Sequence, residues 1–148
     1  EDDRIALNEV IEKLKEAGVS SANYTFADDP GMNCFGLTNL YSQVDYIIGT
    51  RFHSVIFAMT SFTPAIAISY SGHKTTGIMQ DMGLEEYVVK IGEMDSKVLI
   101  EKFNKLVIES DKVKDKIQNY LVDCNKQKHH IVNEIKKVIE EVSIEGEL

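Results

Sequence analysis

Apolar positions in this chain follow two rhythms, a helical one and short continuous runs, and the two alternate along its length. Leu7, Val10, Ile11, Leu14 and Ala17 recur at helical spacing and stop at Gly18, which predicts a helix over 3–17 with Asp3 as its N-cap. Asn23 to Ala27 reads as a short strand, Asp28-Asp29-Pro30-Gly31 as a turn and 36–43 as a short helix. Tyr46-Ile47-Ile48-Gly49 is a short apolar run, the mark of a buried parallel strand. From 54 to 61 apolar residues surround most of a helix, which predicts a buried one. Pro64 restarts the chain, and 65–69 (Ala-Ile-Ala-Ile-Ser) is a second buried strand. A helix over 75–82 ends near Gly83, a third strand covers 87–91, and helices over 96–109 and 111–142 follow.

Strands that alternate with helices through short connections predict an α/β fold: a Rossmann-like parallel sheet with helices on both faces. Crossovers in such sheets are right-handed. The expectation is one domain over 1–148, closed by the long helix 111–142. Along that helix Ile117, Leu121, Cys124, Lys128, Ile131, Ile135, Val138 and Val142 step alternately by four and three, the rhythm of a coiled-coil seam with one charged interruption. Two uses fit it: packing along its own protein, or a homo-oligomer through this helix.

Composition narrows the partners. A net charge of -8 argues against nucleic acid and against anionic membrane surfaces. No apolar run approaches the roughly 18 residues of a membrane span, and no signal-peptide pattern is present. Cys34 and Cys124 have neither metal nor redox spacing and read as cytosolic thiols, so the expected location is cytoplasmic. The chain opens Glu1-Asp2-Asp3 without Met and runs straight into a helix, which suggests a piece of a longer protein.

Charge is unevenly spread. The chain carries 24 Asp and Glu, yet none lies between Tyr46 and Gln80, where Arg51 and Lys74 are the formal charges. Burial alone explains missing carboxylates. It does not explain why the cations stand in Gly49-Thr50-Arg51-Phe52-His53-Ser54 and Ser69-Tyr70-Ser71-Gly72-His73-Lys74, each after a predicted strand. Open parallel sheets bind ligands outside the carboxyl ends of their strands. The helix starting near Ser54 also aims free N–H groups at that edge. An anion there meets an Arg fork, an imidazole and an ammonium.

Each residue has a plainer role beside that one. Arg51 suits a salt bridge with Asp45 or Asp81, His53 a hydrogen-bonded core histidine, His73 a loop and Lys74 a solvated surface. His129-His130 cannot place both rings on one helix face, and Cys34 lacks a base partner. No P-loop, dinucleotide fingerprint, nucleophile elbow or zinc spacing appears, so neither cofactor nor metal is expected.

The run from Asp45 to Ala58, with Gly49-Thr50-Arg51-Phe52-His53-Ser54 at its centre, resembles the polysaccharide pyruvyl transferase family. Thr63-Pro64, the strand to Tyr70, Lys74 and Gln80-Asp81-Met82-Gly83-Leu84 extend the similarity over 45–84. The resemblance implies transfer of a pyruvyl group from phosphoenolpyruvate to sugar hydroxyls of a cell-surface polysaccharide or its precursor. It implies a fold like the C-terminal domain of a GT-B glycosyltransferase, with the N-terminal domain absent and the isolated piece inactive. It also implies that the Arg-x-His motif at Arg51, Phe52 and His53 contacts phosphoenolpyruvate, with His53 and Arg51 catalytic. Ser54, Tyr70 and Lys74 complete the expected substrate-binding set.

Two other readings compete. A GT-B sugar-nucleotide glycosyltransferase needs a carboxylate for ribose hydroxyls, and Glu85 or Glu86 is within sequence reach. A non-catalytic interaction module would use the seam from Ile117 to Val142 and leave the anion site idle.

Overall fold

The computed structural model describes residues 3–27, 29, 31–70 and 73–145, with the side chains of Asp3 and of 141–145 outside the described ones. The chain divides into two compact units, 1–33 and 34–148.

In the first unit, α1 spans Asp3–Glu16 and carries Lys13–Glu16 and Lys15–Glu12 ion pairs on its surface. The Gly18 N–H donates to Lys15 and the Val19 N–H to Leu14, with Gly18 at φ +75. This pair of bonds satisfies the last carbonyls of the helix and needs a left-handed residue at Gly18. The strand expected over 23–27 does not form. Ser21–Asn23 is a 3-10 turn capped by the Ser20 hydroxyl, and Tyr24 is extended with no ladder partner. A lone extended segment has nowhere to place its hydrogen bonds except water. Asp28 and Pro30 of the expected turn lie outside the described residues, and the Asp29 carboxylate accepts from the Gly31 N–H at 2.9 Å.

The second unit holds α2 (Cys34–Tyr41), β1 (Ile47–Gly49), α3 (Phe52–Thr60), β2 (Ala65–Ser69), α4 (Lys74–Asp81), β3 (Val88–Lys90), α5 (Ser96–Ile108) and α6 (Ser110–Glu145). The sheet is parallel in the order β1-β2-β3, with Ile47 beside Ala65 and Ala67 beside Val88. All five residues of β2 are buried. Side chains alternate across a strand, so both faces of the central strand are covered. The core joins Val55 and Met59 of α3, Ile66 and Ala67 of β2, Met79 of α4, Leu106 of α5, and Val113 and Ile117 of α6.

Helix ends in this unit repeat the closing device of α1. After α4, the Gly83 N–H donates to Gln80 and the Leu84 N–H to Met79, with Gly83 at φ +66. After α3, Phe62 donates to Met59 and Thr63 to Ala58, and here the left-handed position is held by Phe62 at φ 58. The Tyr87 hydroxyl donates to Glu109 at 2.5 Å and ties the start of β3 to the α5–α6 junction. Burial, and then that bond, pushes the phenol well above its usual range. The same bond holds the Glu109 carboxyl below its usual range.

Helix α6 is 36 residues long, about 54 Å at 1.5 Å per residue. Its first turns enter the core through Val113 and Ile117, but from 125 to 140 every residue is exposed. Ile131, Val132, Ile135, Val138 and Ile139 therefore form an uncovered apolar stripe. The side chain of Val142 lies outside the described ones. No described helix is long and apolar enough to cross a membrane.

Candidate active site

Strand β1 ends at Gly49 and α3 begins at Phe52, two residues earlier than the apolar pattern predicts. Arg51 is thus the N-cap residue, in extended conformation at φ -115 and ψ 148, and Phe52, His53 and Ser54 form the first turn. The turn is tight because Gly49 lacks a side chain: a Cβ there would stand 3.0 Å from the Ser54 Cβ. Arg51 and His53 are exposed, while Phe52 and Ser54 are partly buried. The Phe52 and His53 rings meet edge to face with centroids 5.7 Å apart, which braces the imidazole at the surface. Histidine as a buried core residue is excluded by that exposure.

Strand β2 ends at Ser69, and Tyr70 follows it with 59% of its surface exposed. Ser71 and Gly72 lie outside the described residues. His73 is the N-cap residue of α4 and Lys74 its first residue, both exposed. Parallel pairing sets the turns after β1 and β2 at the same edge of the sheet, on neighbouring strands about 5 Å apart. Every residue of the expected set therefore belongs to this edge, contributed by two adjacent loops.

A cavity of about 750 Å³ opens beside the second loop, lined by Ser69, Tyr70, His73, Thr76, Lys90, Ile91, Gly92 and Glu93. Half of this lining is Lys90, the last residue of β3, with Ile91, Gly92 and Glu93 after it, all beyond the acid-free stretch 46–80. The expected strand 87–91 carried the signal, since whatever follows a third parallel strand reaches the same edge. Lys90 pairs with Glu93 at 3.3 Å. Glu85 and Glu86, by contrast, form a 3-10 turn ahead of β3, at the opposite end of the strand. The Glu86 carboxylate pairs there with Lys105, and its carbonyl accepts from Lys102. They do not reach the ligand edge.

A second groove of about 660 Å³ lies between α2 and α3, with Phe35, Ile56, Phe57 and Phe62 in its wall. It is apolar and carries no titratable pair. Cys34 lines it as a free thiol, and Cys124 is free in α6. His129 and His130 are exposed on α6, and among the described residues no group of three His, Cys, Asp or Glu is arranged around a metal position.

Residues 6–72 match the family model for polysaccharide pyruvyl transferase. The chain is 34% identical over 70 residues to the amylovoran biosynthesis protein AmsJ of Erwinia amylovora. That match takes in 47% of this chain and 17% of the relative, so the chain spans only a small part of the protein it resembles. No solved structure matches it. The family match reaches further toward the amino end than the 45–84 resemblance and stops before Lys74, but it includes Arg51, Phe52, His53, Ser54 and Tyr70. Through residues 6–72 this chain is similar to the polysaccharide pyruvyl transferase family.

Proposed function

We propose that the chain is the C-terminal, GT-B-like part of a cytoplasmic enzyme that moves a pyruvyl group from phosphoenolpyruvate to sugar hydroxyls of a polysaccharide or its precursor. The observation that carries this reading is the exposed Arg51 and His53 on the first turn of α3, directly after a parallel strand, within the family match. Phosphoenolpyruvate presents a phosphate and a carboxylate. Arg51 clamps one of them with its planar fork, Lys74 assists from the neighbouring loop, and the N–H groups of the first α3 turn face the same ligand. Phe52 and Ser54 shape the turn, and Tyr70 contacts substrate from the β2 loop.

His53 protonates the methylene carbon of the donor as general acid. One sugar hydroxyl then attacks the adjacent carbon and a second displaces phosphate, which closes a ketal. Two C–O bonds form and the C–O bond to phosphate breaks. Of the two hydroxyl protons, one balances the new methyl group and one leaves with phosphate. The base for the hydroxyls and the remaining wall of the site come from an N-terminal domain outside this chain, so the isolated chain binds donor but does not turn it over.

A second part of the reading concerns α6. We infer that its uncovered stripe pairs with a second copy of this chain. Glu134 flanks the stripe on one side and Lys136 on the other. A parallel two-fold pair sets acid beside base, whereas an antiparallel pair sets like flanks together.

The site is tested by amide NMR of the chain with phosphoenolpyruvate, against UDP and inorganic phosphate. Shifts centred on 49–54 and 73–77, larger for phosphoenolpyruvate and lost in Arg51→Ala, are expected. Equal response to inorganic phosphate would reduce the site to an unspecific anion patch, and response to UDP alone would favour a glycosyltransferase. In the complete enzyme, Arg51→Ala and His53→Ala each remove most activity, and wild-type turnover in either defeats the assignment.

A further inference from the structure

We propose that the cavity between the β2 and β3 loops is the subsite for the acceptor sugar ring, next to the donor turn at Arg51. This inference rests on the pyruvyl transfer reading for its substrate class. The cavity has the volume of a small-molecule site, which typically runs from about 300 to 1,000 Å³. Its chemistry differs from that of the Arg51 turn. Lys90 and Glu93 form an ion pair at 3.3 Å, so the lining offers a donor and an acceptor together without a surplus of positive charge. A dianion gains from Lys90 only against repulsion from Glu93. A neutral polyol uses both, donating a hydroxyl to the carboxylate and accepting from the ammonium.

The rest of the lining suits a sugar as well. Tyr70 exposes an aromatic ring, Ile91 adds an apolar surface, and Ser69 and Thr76 supply hydroxyls. Gly92 leaves its part of the wall open, since an added Cβ would meet no atom within 4 Å. The strand order places this cavity at the ends of β2 and β3 and the donor turn at the end of β1, roughly 5 to 10 Å across the same sheet edge. Group transfer requires that adjacency, because the hydroxyl must reach the carbon that the donor turn presents.

The test is amide NMR of the chain with methyl β-D-galactopyranoside and methyl α-D-mannopyranoside as probes, run beside phosphoenolpyruvate and UDP. Expected are sugar-dependent shifts at Tyr70, His73, Thr76 and 91–93, with at least one probe active at millimolar concentration. Gly92→Leu fills the cavity and abolishes those shifts while leaving the phosphoenolpyruvate shifts at 49–54 in place. Glu93→Gln weakens sugar binding at least tenfold and leaves the melting temperature unchanged. No response to either sugar, sugar shifts that survive Gly92→Leu, or a stronger response at 91–93 to UDP or phosphoenolpyruvate than to either sugar overturns the proposal. Sugar shifts here with no phosphoenolpyruvate response at 49–54 would uphold the sugar subsite and remove the donor reading instead.

Discussion

Gly49→Ala is the smallest change that reaches the Arg51 turn without touching a ligand group. A Cβ at Gly49 would lie 3.0 Å from the Ser54 Cβ and 3.7 Å from the Ser54 carbonyl carbon, where ordinary contacts are 3.4–4 Å. The obstructing atom is the root of a side chain on a helical backbone, so it cannot swing aside as a long side chain would. Relief requires the first turn of α3 to move by several tenths of an ångström, against Val55 and Ala58 in the core. Overpacking of this kind costs about 1–3 kcal/mol. In a chain of this size each kcal/mol lowers the melting temperature by roughly 3 °C. Thermal unfolding followed by circular dichroism should therefore fall by roughly 3–9 °C. The same displacement carries Arg51 and His53 with it, so phosphoenolpyruvate shifts at 49–54 should weaken even where the variant is fully folded. Gly92→Ala is the control, since its added Cβ meets nothing within 4 Å. If Gly49→Ala melts with wild type and binds donor unchanged, the close strand-to-helix packing is refuted, and with it the account of how the turn is positioned.

Three further outcomes are expected. Gly77→Ala, in the middle of α4 with open space at its Cβ, should stabilise by about 0.4–1 kcal/mol, measured by denaturant midpoint. Tyr87→Phe should lower the melting temperature at pH 7 by roughly 3–6 °C. The folded-state pKa of Glu109 is depressed, so its contribution is present above the unfolded pKa and is lost as pH falls through the folded one. The deficit of Tyr87→Phe should therefore shrink in acid, and a deficit independent of pH would break the link to Glu109. Ile131→Asp should abolish concentration-dependent dimerisation in sedimentation equilibrium without changing the melt of the core, because Ile131 is 57% exposed. A wild-type chain that stays monomeric at high concentration removes the α6 pairing.

The elements were legible where local chemistry and tertiary packing agree. The run 65–69 is apolar at every position but the last and is the central strand, and Gly18 and Gly83 announce helix ends because the backbone there must be left-handed. Phe62 fills the same role after α3, and nothing in its residue type says so. Its cost of about 1–2 kcal/mol is borne by the two closing hydrogen bonds at Met59 and Ala58. The strand expected at 23–27 failed for the opposite reason. Its residues favour extension, but a strand exists only where a neighbour supplies the ladder, and sequence spacing does not reveal a missing neighbour.

The candidate site was legible to the extent that charge marked it. Arg51, His53 and Lys74 stand out because an acidic chain suspends its acids around them, and topology then brings their loops to one edge. Lys90 and Glu93 escaped because each is ordinary in a chain rich in both, and a pair of opposite charges cancels in any search for a cationic island. The same cancellation suits them to a neutral partner. On the proposed reading, a cationic turn after β1 and a charge-balanced cavity after β3 would distinguish two ligands by chemistry rather than by shape alone. A transferase needs that distinction: donor and acceptor must each find its own place within bonding distance, and a uniformly cationic edge would crowd both places with donor.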